Sequence, residues 1–281
     1  MISMLERLPD HAALWDELEK TCPAEAAVVW AEAPLLGHGA SGLWRQTDSQ
    51  GNDTGLIWRN TMGGVVLALL PTADAGELDE FLQMIGWSSL TLPTAWAGHL
   101  GPPDALAEEN LLLQWGGGPA PMPYGYSLRP IGVKELLDHT LCAFGEQAIP
   151  SEEREEWQWA FGLRLRRETA LDMGLWQRRE LLAAAALTHL GRSASVIGFV
   201  GTSPAQRGNG YGGLLAGAMA ELAQEKGKRP LLCCRPELKK LYRRVGFVTM
   251  GTQTVLRPRL YNKAEGCSAD RIEEKDGERI F

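Results

Sequence analysis

The chain has 281 residues, 44% of them apolar and 22% charged, and 28 basic against 35 acidic side chains give a formal net charge of −7. These are globular proportions, which exclude a wholly disordered or collagen-like chain. The acidic balance argues against a dedicated nucleic-acid binder, and the length suits one large domain or two at about 150 residues each.

Leu5, Leu8, Ala12, Trp15 and Leu18 recur at helical spacing, so 4–20 reads as an amphipathic helix. Short β-type runs follow at 42–46, 55–59 and 64–70, then a helix at 76–86, a strand at 88–92, a short helix at 94–100 and a strand at 111–115. Beyond a Gly- and Pro-rich break, helices are expected at 132–145 and 151–170 and strands at 174–177, 180–188 and 194–202. A loop at 203–211 leads into a helix at 212–227, a strand at 230–234, a helix at 237–245 and strands within 247–256.

That break, Trp115 to Tyr124, holds three glycines and three prolines and cannot continue a helix or a central strand. It divides the expected domains, 1–118 and 119–260, from which a charged, mobile tail at 261–281 follows. Residues 1–118 carry 16 acidic and 4 basic side chains and seven of the ten tryptophans; residues 206–246 carry 9 basic and 3 acidic. From each long apolar strand onward both parts read strand, helix, strand, helix, strand. The expected fold is therefore α/β, a mixed sheet flanked by helices, built as two related halves.

Cys22, Cys142, Cys233, Cys234 and Cys267 are odd in number and scattered, and the five histidines lie far apart, so no metal site is expected. Reduced thiols, a charged N-terminal stretch and no apolar run near 20 residues point to a soluble cytoplasmic protein with no membrane partner.

The informative stretch runs from Val196 through Arg207-Gly208-Asn209-Gly210-Tyr211-Gly212-Gly213. Glycines leave backbone N–H groups unshielded, and a helix that starts there adds its own free N–H groups and positive dipole end. Together they suit a pyrophosphate. The P-loop pattern is absent. Gly208-x-Gly210-x-x-Gly213 matches a dinucleotide fingerprint literally, but Pro204–Arg207 intervenes after the strand, and Arg235 stands where a ribose-binding acid would be expected, which leaves NADP as an alternative.

Arg207-x-x-Gly210-x-Gly212, preceded by Pro204 and Gln206, resembles the acyl-CoA pyrophosphate motif of the GNAT (GCN5-related N-acetyltransferase) superfamily. Leu241-Tyr242-Arg243-Arg244-Val245-Gly246-Phe247 resembles its second hallmark, an aromatic helix ending in Gly-Phe. The likeness covers about 126–260; residues 1–118 show no such motif and read as a degenerate copy. It implies an acetyl-CoA-dependent N-acetyltransferase that acts by direct transfer on a small-molecule or peptide amine. The cofactor would lie against Gln206, Arg207, Gly208, Asn209, Gly210, Tyr211, Gly212 and Gly213, and the backbone of Phe199, Val200 and Gly201. Tyr242 is the expected general acid. Lys239/Arg243 and Lys240/Arg244 form i,i+4 pairs that meet either phosphate or solvent. Cys233 and Cys234 read as buried core thiols.

Strand 194–202 carries no carboxylate to serve as base, which leaves water, Glu168, Asp172 or Glu180. Trp157, Trp159 and Trp176 line the acceptor cleft or the core. The alternative is a catalytically weak acyl-CoA-binding or regulatory module whose N-terminal half engages a partner. A monomer and a homodimer are both compatible with the sequence.

Overall fold

A computed structural model describes residues 1–118 and 124–259; the expected tail and Cys267 lie outside them. The first series of elements is β1 (Ile2–Leu5), α1 (Ala12–Thr21), α2 (Pro23–Glu32), β2 (Gly42–Thr47), β3 (Asp53–Arg59), β4 (Gly64–Leu69), α3 (Ala75–Ile85), β5 (Ser89–Pro93) and β6 (Leu106–Trp115). The second is β7 (Tyr126–Arg129), α4 (Val133–Phe144), α5 (Arg154–Arg166), β8 (Leu171–Gln177), β9 (Glu180–Leu190), β10 (Ala194–Thr202), α6 (Tyr211–Glu225), β11 (Arg229–Cys234), α7 (Lys239–Arg243) and β12 (Phe247–Arg257). The order is the same twice, with a short 3₁₀ turn at Thr94–Trp96 in place of α7 in the first series. The mixed, helix-flanked sheet expected from the sequence is the observed architecture.

The strands of both series join one sheet in the order β1-β2-β3-β4-β5-β12-β6-β11-β10-β9-β8-β7. The last strands are exchanged between the halves. β12 pairs with β5 (Thr254 opposite Leu92), and β6 pairs with β11 (Leu113 opposite Leu232). β6 and β12 also run antiparallel to each other over their whole length, Phe247 opposite Trp115 to Arg257 opposite Leu106. Removing either half would therefore strip a neighbouring strand from the other and expose unpaired backbone.

Two expectations are corrected here. The helix expected over 4–20 is strand β1, paired with β2, followed by α1; Pro9 lies between them, and its carbonyl accepts from Trp15 Nε1 at 2.9 Å. The apolar spacing at Leu5 and Leu8 came from a strand and a loop. Helix α2 was not expected, because nearly every side chain in Pro-Ala-Glu-Ala-Ala-Val-Val-Trp-Ala-Glu is buried and no polar face marks the helical period.

α2 belongs to the first half and lies across the second. Ala27 packs so closely on the β9–β10 turn that a Cβ on Gly191 would stand 2.6 Å from its Cα. At the far end, Glu32 Oε1 accepts from Arg164 Nη1 at 3.0 Å, and Arg164 Nη1 also lies 2.7 Å from His189 Nε2. Thr188 Oγ1 donates to the Val196 carbonyl (3.1 Å), so it accepts from His189 Nδ1 (3.0 Å), while His189 Nε2 stands between Arg164 Nη1 and Glu32 Oε1, 3.0 Å from the latter. Burial, then the adjacent guanidinium, hold His189 below the usual imidazole range. Burial pushes Glu32 up, but Arg164 and then His189 outweigh it, and its carboxyl ends lower than usual.

Candidate functional site

β10 and β11 run parallel only from Ala194 opposite Arg229 to Ile197 opposite Leu232. Beyond that rung β11 pairs with β6 alone, while Gly198, Gly201 and Thr202 pair with β9 alone. Phe199 sits in this parting with φ of 53°, a left-handed conformation costly for an aromatic residue, within an irregular stretch of the β9 register. The kink turns the Phe199 ring edge-on to Trp157, 5.3 Å away, and leaves Val200 packed toward the α6 side. The backbone of Phe199–Gly201 thus faces a gap where a sheet would normally continue.

Helix α4 secures this segment. His139 Nε2 donates to the Gly201 carbonyl at 3.2 Å, and burial keeps the imidazole below its usual pKa and neutral. A Cβ on Gly201 would stand 2.9 Å from Ala143 Cβ, so this close approach requires glycine. His139 and Ala143 were not singled out in the sequence; their i,i+4 spacing on helix 132–145 was the only trace of a shared face.

At the end of β10 the chain makes a 3₁₀ turn, Pro204–Gln206, and enters α6 through Gly208 (φ 84°) and Gly210 (φ 79°). Gly210 caps the helix without a side chain, and the first turn holds no acidic residue, so its N–H groups carry no carboxylate. Gln206 Nε2 donates to Glu180 Oε1 at 2.6 Å, and Asn209 Nδ2 donates to the Gln206 carbonyl at 3.0 Å. Arg207 donates to the Ala143 carbonyl at the end of α4. The Tyr211 hydroxyl lies 3.2 Å from that of Tyr126, and Gly212 and Gly213 let α6 approach β10 and α7 respectively. The structure brings all of these expected residues to one end of the parting strands.

Tyr242 stands beside the end of β11, in the same core cluster as Cys234, with its ring edge-on to Phe247 at 5.9 Å. Burial, then the neighbouring Cys234, push its phenol up, so it is a proton donor at neutral pH. Burial pushes the Cys233 thiol well up and the Cys234 thiol up to about 11, which removes the thiolate a nucleophile would need.

Of the carboxylates considered as bases, Glu180 is engaged with Gln206 and Glu168 lies in a left-handed turn after α5. Asp172 accepts from the Ile131 and Gly132 backbone, a brace for the entry to α4. A different carboxylate is buried near the parting of the strands. Glu25, from α2 of the first half, accepts from Gln253 Nε2 of β12 at 2.8 Å and lies near Cys233, the first β11 residue past the last rung. Burial raises its pKa. Nothing in the sequence linked residue 25 to residue 233; the strand exchange does. Trp157 is stacked on Phe161 in the core (5.2 Å), Trp159 is half-exposed against His38, and Trp176 lies under Arg129.

The equivalent place in the first half is closed. β4 and β5 are parallel from Gly64 opposite Ser89 to Val66 opposite Thr91, and α3 follows β4 as α6 follows β10. Its N-cap is Asp74, whose carboxylate accepts from the Glu77 N–H at 3.1 Å. Glu77 in the first turn accepts from Gln46 Nε2 (2.8 Å) and pairs with the N-terminal amine (2.9 Å). Two carboxylates occupy the end that a phosphate would need.

No helix among the described residues is long and apolar enough to cross a membrane. Residues 172–256 match the family model described as FR47-like protein. No curated protein matches. An acetyltransferase of the GNAT family from Colwellia psychrerythraea is 14% identical, with 92% of this chain and 98% of that one covered at a TM-score of 0.52. A Drosophila protein is 13% identical over 88% of this chain and 95% of its own, with a TM-score of 0.62. A tandem GNAT protein from the clavulanic acid biosynthesis pathway is 13% identical over 91% and 98%, with a TM-score of 0.53. The likeness at this identity is one of fold, and it spans both halves, while the FR47-like match lies within the second half alone.

Proposed function

We propose that the chain is an acetyl-CoA-dependent N-acetyltransferase acting on a primary amine of a small molecule or peptide. The observation that carries this reading is the coincidence of two features. Parallel strands part at Ile197 and Leu232, and a glycine-capped, carboxylate-free helix start opens at the same end. Bound there, the coenzyme supplies an activated acyl group as its thioester.

The chain's own residues then have separate tasks. The N–H groups from Gly208 to Gly213 hold the pyrophosphate. The backbone of Phe199–Gly201, past the last β10–β11 rung, aligns the pantetheine arm, and the Val200 N–H stabilises charge developing on the carbonyl oxygen. Tyr242 donates its phenolic proton to the departing sulfur. Glu25 receives the proton that an ammonium acceptor must lose before its nitrogen can attack, and its raised pKa suits it to that exchange. The four described cysteines are unpaired, which fits a reducing cytoplasm.

Thiol release from acetyl-CoA over a panel of amines, with calorimetric titration of acetyl-CoA beside it, tests the proposal. Amine-dependent release supports it. Coenzyme binding without release on any amine would identify a binding module instead, and NADPH binding in place of acetyl-CoA would overturn both.

A further inference from the structure

The β8–β9 turn, Gln177 to Glu180, touches the site described above only through Glu180, and it borders a hollow of about 710 Å³. Because Thr202 pairs with Ala183 and Ser203 donates to the Leu182 carbonyl at 3.3 Å, the start of β9 runs alongside the exit of β10. The turn therefore lies next to the glycine loop. Two contacts tie them: Gln206 Nε2 to Glu180 Oε1 at 2.6 Å, and the Tyr126 and Tyr211 hydroxyls at 3.2 Å, with Tyr126 opposite Gln177 in β7.

The charge of this turn is unbalanced. Arg178 and Arg179 are exposed, and neither guanidinium has an ion-pair partner among the described residues. Arg178 holds φ of 56°, and its carbonyl accepts from Arg129 Nη2 at 3.3 Å, so the unusual backbone is fixed by a third arginine. Arg129 lies over the Trp176 ring (5.6 Å) and donates Nε to Ser127 Oγ (3.1 Å). The one carboxylate at the turn, Glu180, is engaged with Gln206. Two guanidiniums, Arg178 and Arg179, thus line a hollow beside an anion loop with little to neutralise them. Such a fork suits a phosphate monoester.

We propose that Arg178 and Arg179 bind the 3′-phosphate on the ribose of coenzyme A, and so make the protein select the free coenzyme over donors that lack this group. The inference rests on the acyl-coenzyme reading above. Coenzyme A carries its pyrophosphate and its 3′-phosphate on one adenosine, so a pyrophosphate on the α6 start places the third phosphate among the nearest unpaired cations. A second cationic group, Lys239, Lys240, Arg243 and Arg244 around α7, flanks α6 on its other side. Among the described residues the side-chain hydrogen bonds of Gln206, Arg207 and Asn209 go to Glu180, Ala143 and Gln206, and none to this group.

The test is calorimetric titration of the full chain with acetyl-CoA and with acetyl-dephospho-CoA. For the wild type, acetyl-CoA should bind about tenfold or more tightly than the dephospho form. In Arg178→Ala/Arg179→Ala that preference should collapse to about twofold, through weaker acetyl-CoA binding alone. Both residues are exposed, so the variant should fold, and near-UV circular dichroism checks this. Equal binding of the two donors by the wild type, a preference that survives the double substitution, or its loss in Lys239→Ala/Arg243→Ala instead would each overturn the proposal while leaving the coenzyme reading intact. Failure of the wild type to bind either donor would overturn both.

Discussion

Asp74 and Gly210 hold the same place in the two halves, each capping the helix that follows the first of two parallel strands. One brings a carboxylate to the free N–H groups; the other leaves them open in a left-handed turn. This single position separates a helix start that neutralises itself from one that can take a phosphate. Gly210→Asp should therefore weaken acetyl-CoA binding about tenfold or more, at a stability cost of about 1 kcal/mol for the backbone conformation. Calorimetry and urea denaturation measure the two effects. The converse change, Asp74→Gly, should create no second site, because Glu77 stays in the first turn.

Tyr242→Phe should lower turnover about 10²-fold or more while acetyl-CoA affinity stays within about twofold, since only the hydroxyl is lost. The kcat and Kd of the variant give both numbers. A rate equal to the wild type would return Tyr242 to a packing role in the cluster it shares with Cys234 and Phe247.

Glu25→Gln keeps a group that can bond Gln253 but cannot accept the proton. The rate should fall, and the rise of rate with pH that marks ionisation of this carboxyl, above the usual carboxylate range, should disappear. A pH–rate profile for both proteins measures this. An unchanged profile would leave Glu25 as a tether between α2 and β12.

The Glu32–Arg164–His189 contact ties the halves through buried charge. Glu32→Ala should cost about 3 kcal/mol, because it leaves Arg164 buried without its counter-charge. The pH effect has a definite sign. His189 is held below its unfolded value, so the folded state binds fewer protons, and stability should fall as pH drops below about 6.5. Glu32, also lowered, adds a further loss in the range below about 4.3, while Glu25, raised, acts in the opposite sense above about 4.3. Urea midpoints of the wild type and of His189→Gln at pH 7.5 and 5.5 give the histidine's share, as the loss at pH 5.5 that the variant lacks.

Expressed alone, residues 124–281 should not fold stably, because β11 loses β6 and β12 loses both of its neighbours. Co-expression with 1–118 should restore a soluble pair. Circular dichroism of the fragment and of the co-expressed pair distinguishes these outcomes.

Much of the second half was legible, because its signals are local. The glycines at 208–213 mark a strand-to-helix junction, and Gly246-Phe247 marks the end of the α7 segment; both lie where their spacing placed them. What the sequence hid depends on distant partners. β1 spans only four residues and owes its conformation to pairing with β2. β7, also four residues, is held by β8. α2 is buried on most sides and so shows no helical period. The exchange of β6 and β12 has no signature in either strand, since nothing in a strand's own residues names its neighbour. Glu25 shares that blindness: an acidic residue in a first helical turn reads as a solvated cap until β12 and β11 arrive beside it.

The proposed function puts one coenzyme on each chain, at the glycine loop of the second half. Titration of the full chain with acetyl-CoA, repeated on Gly210→Asp, tests it most directly. The predicted result is a stoichiometry of one for the wild type and a strong loss of affinity in the variant. Two sites per chain, or a variant that binds as the wild type does, would contradict it.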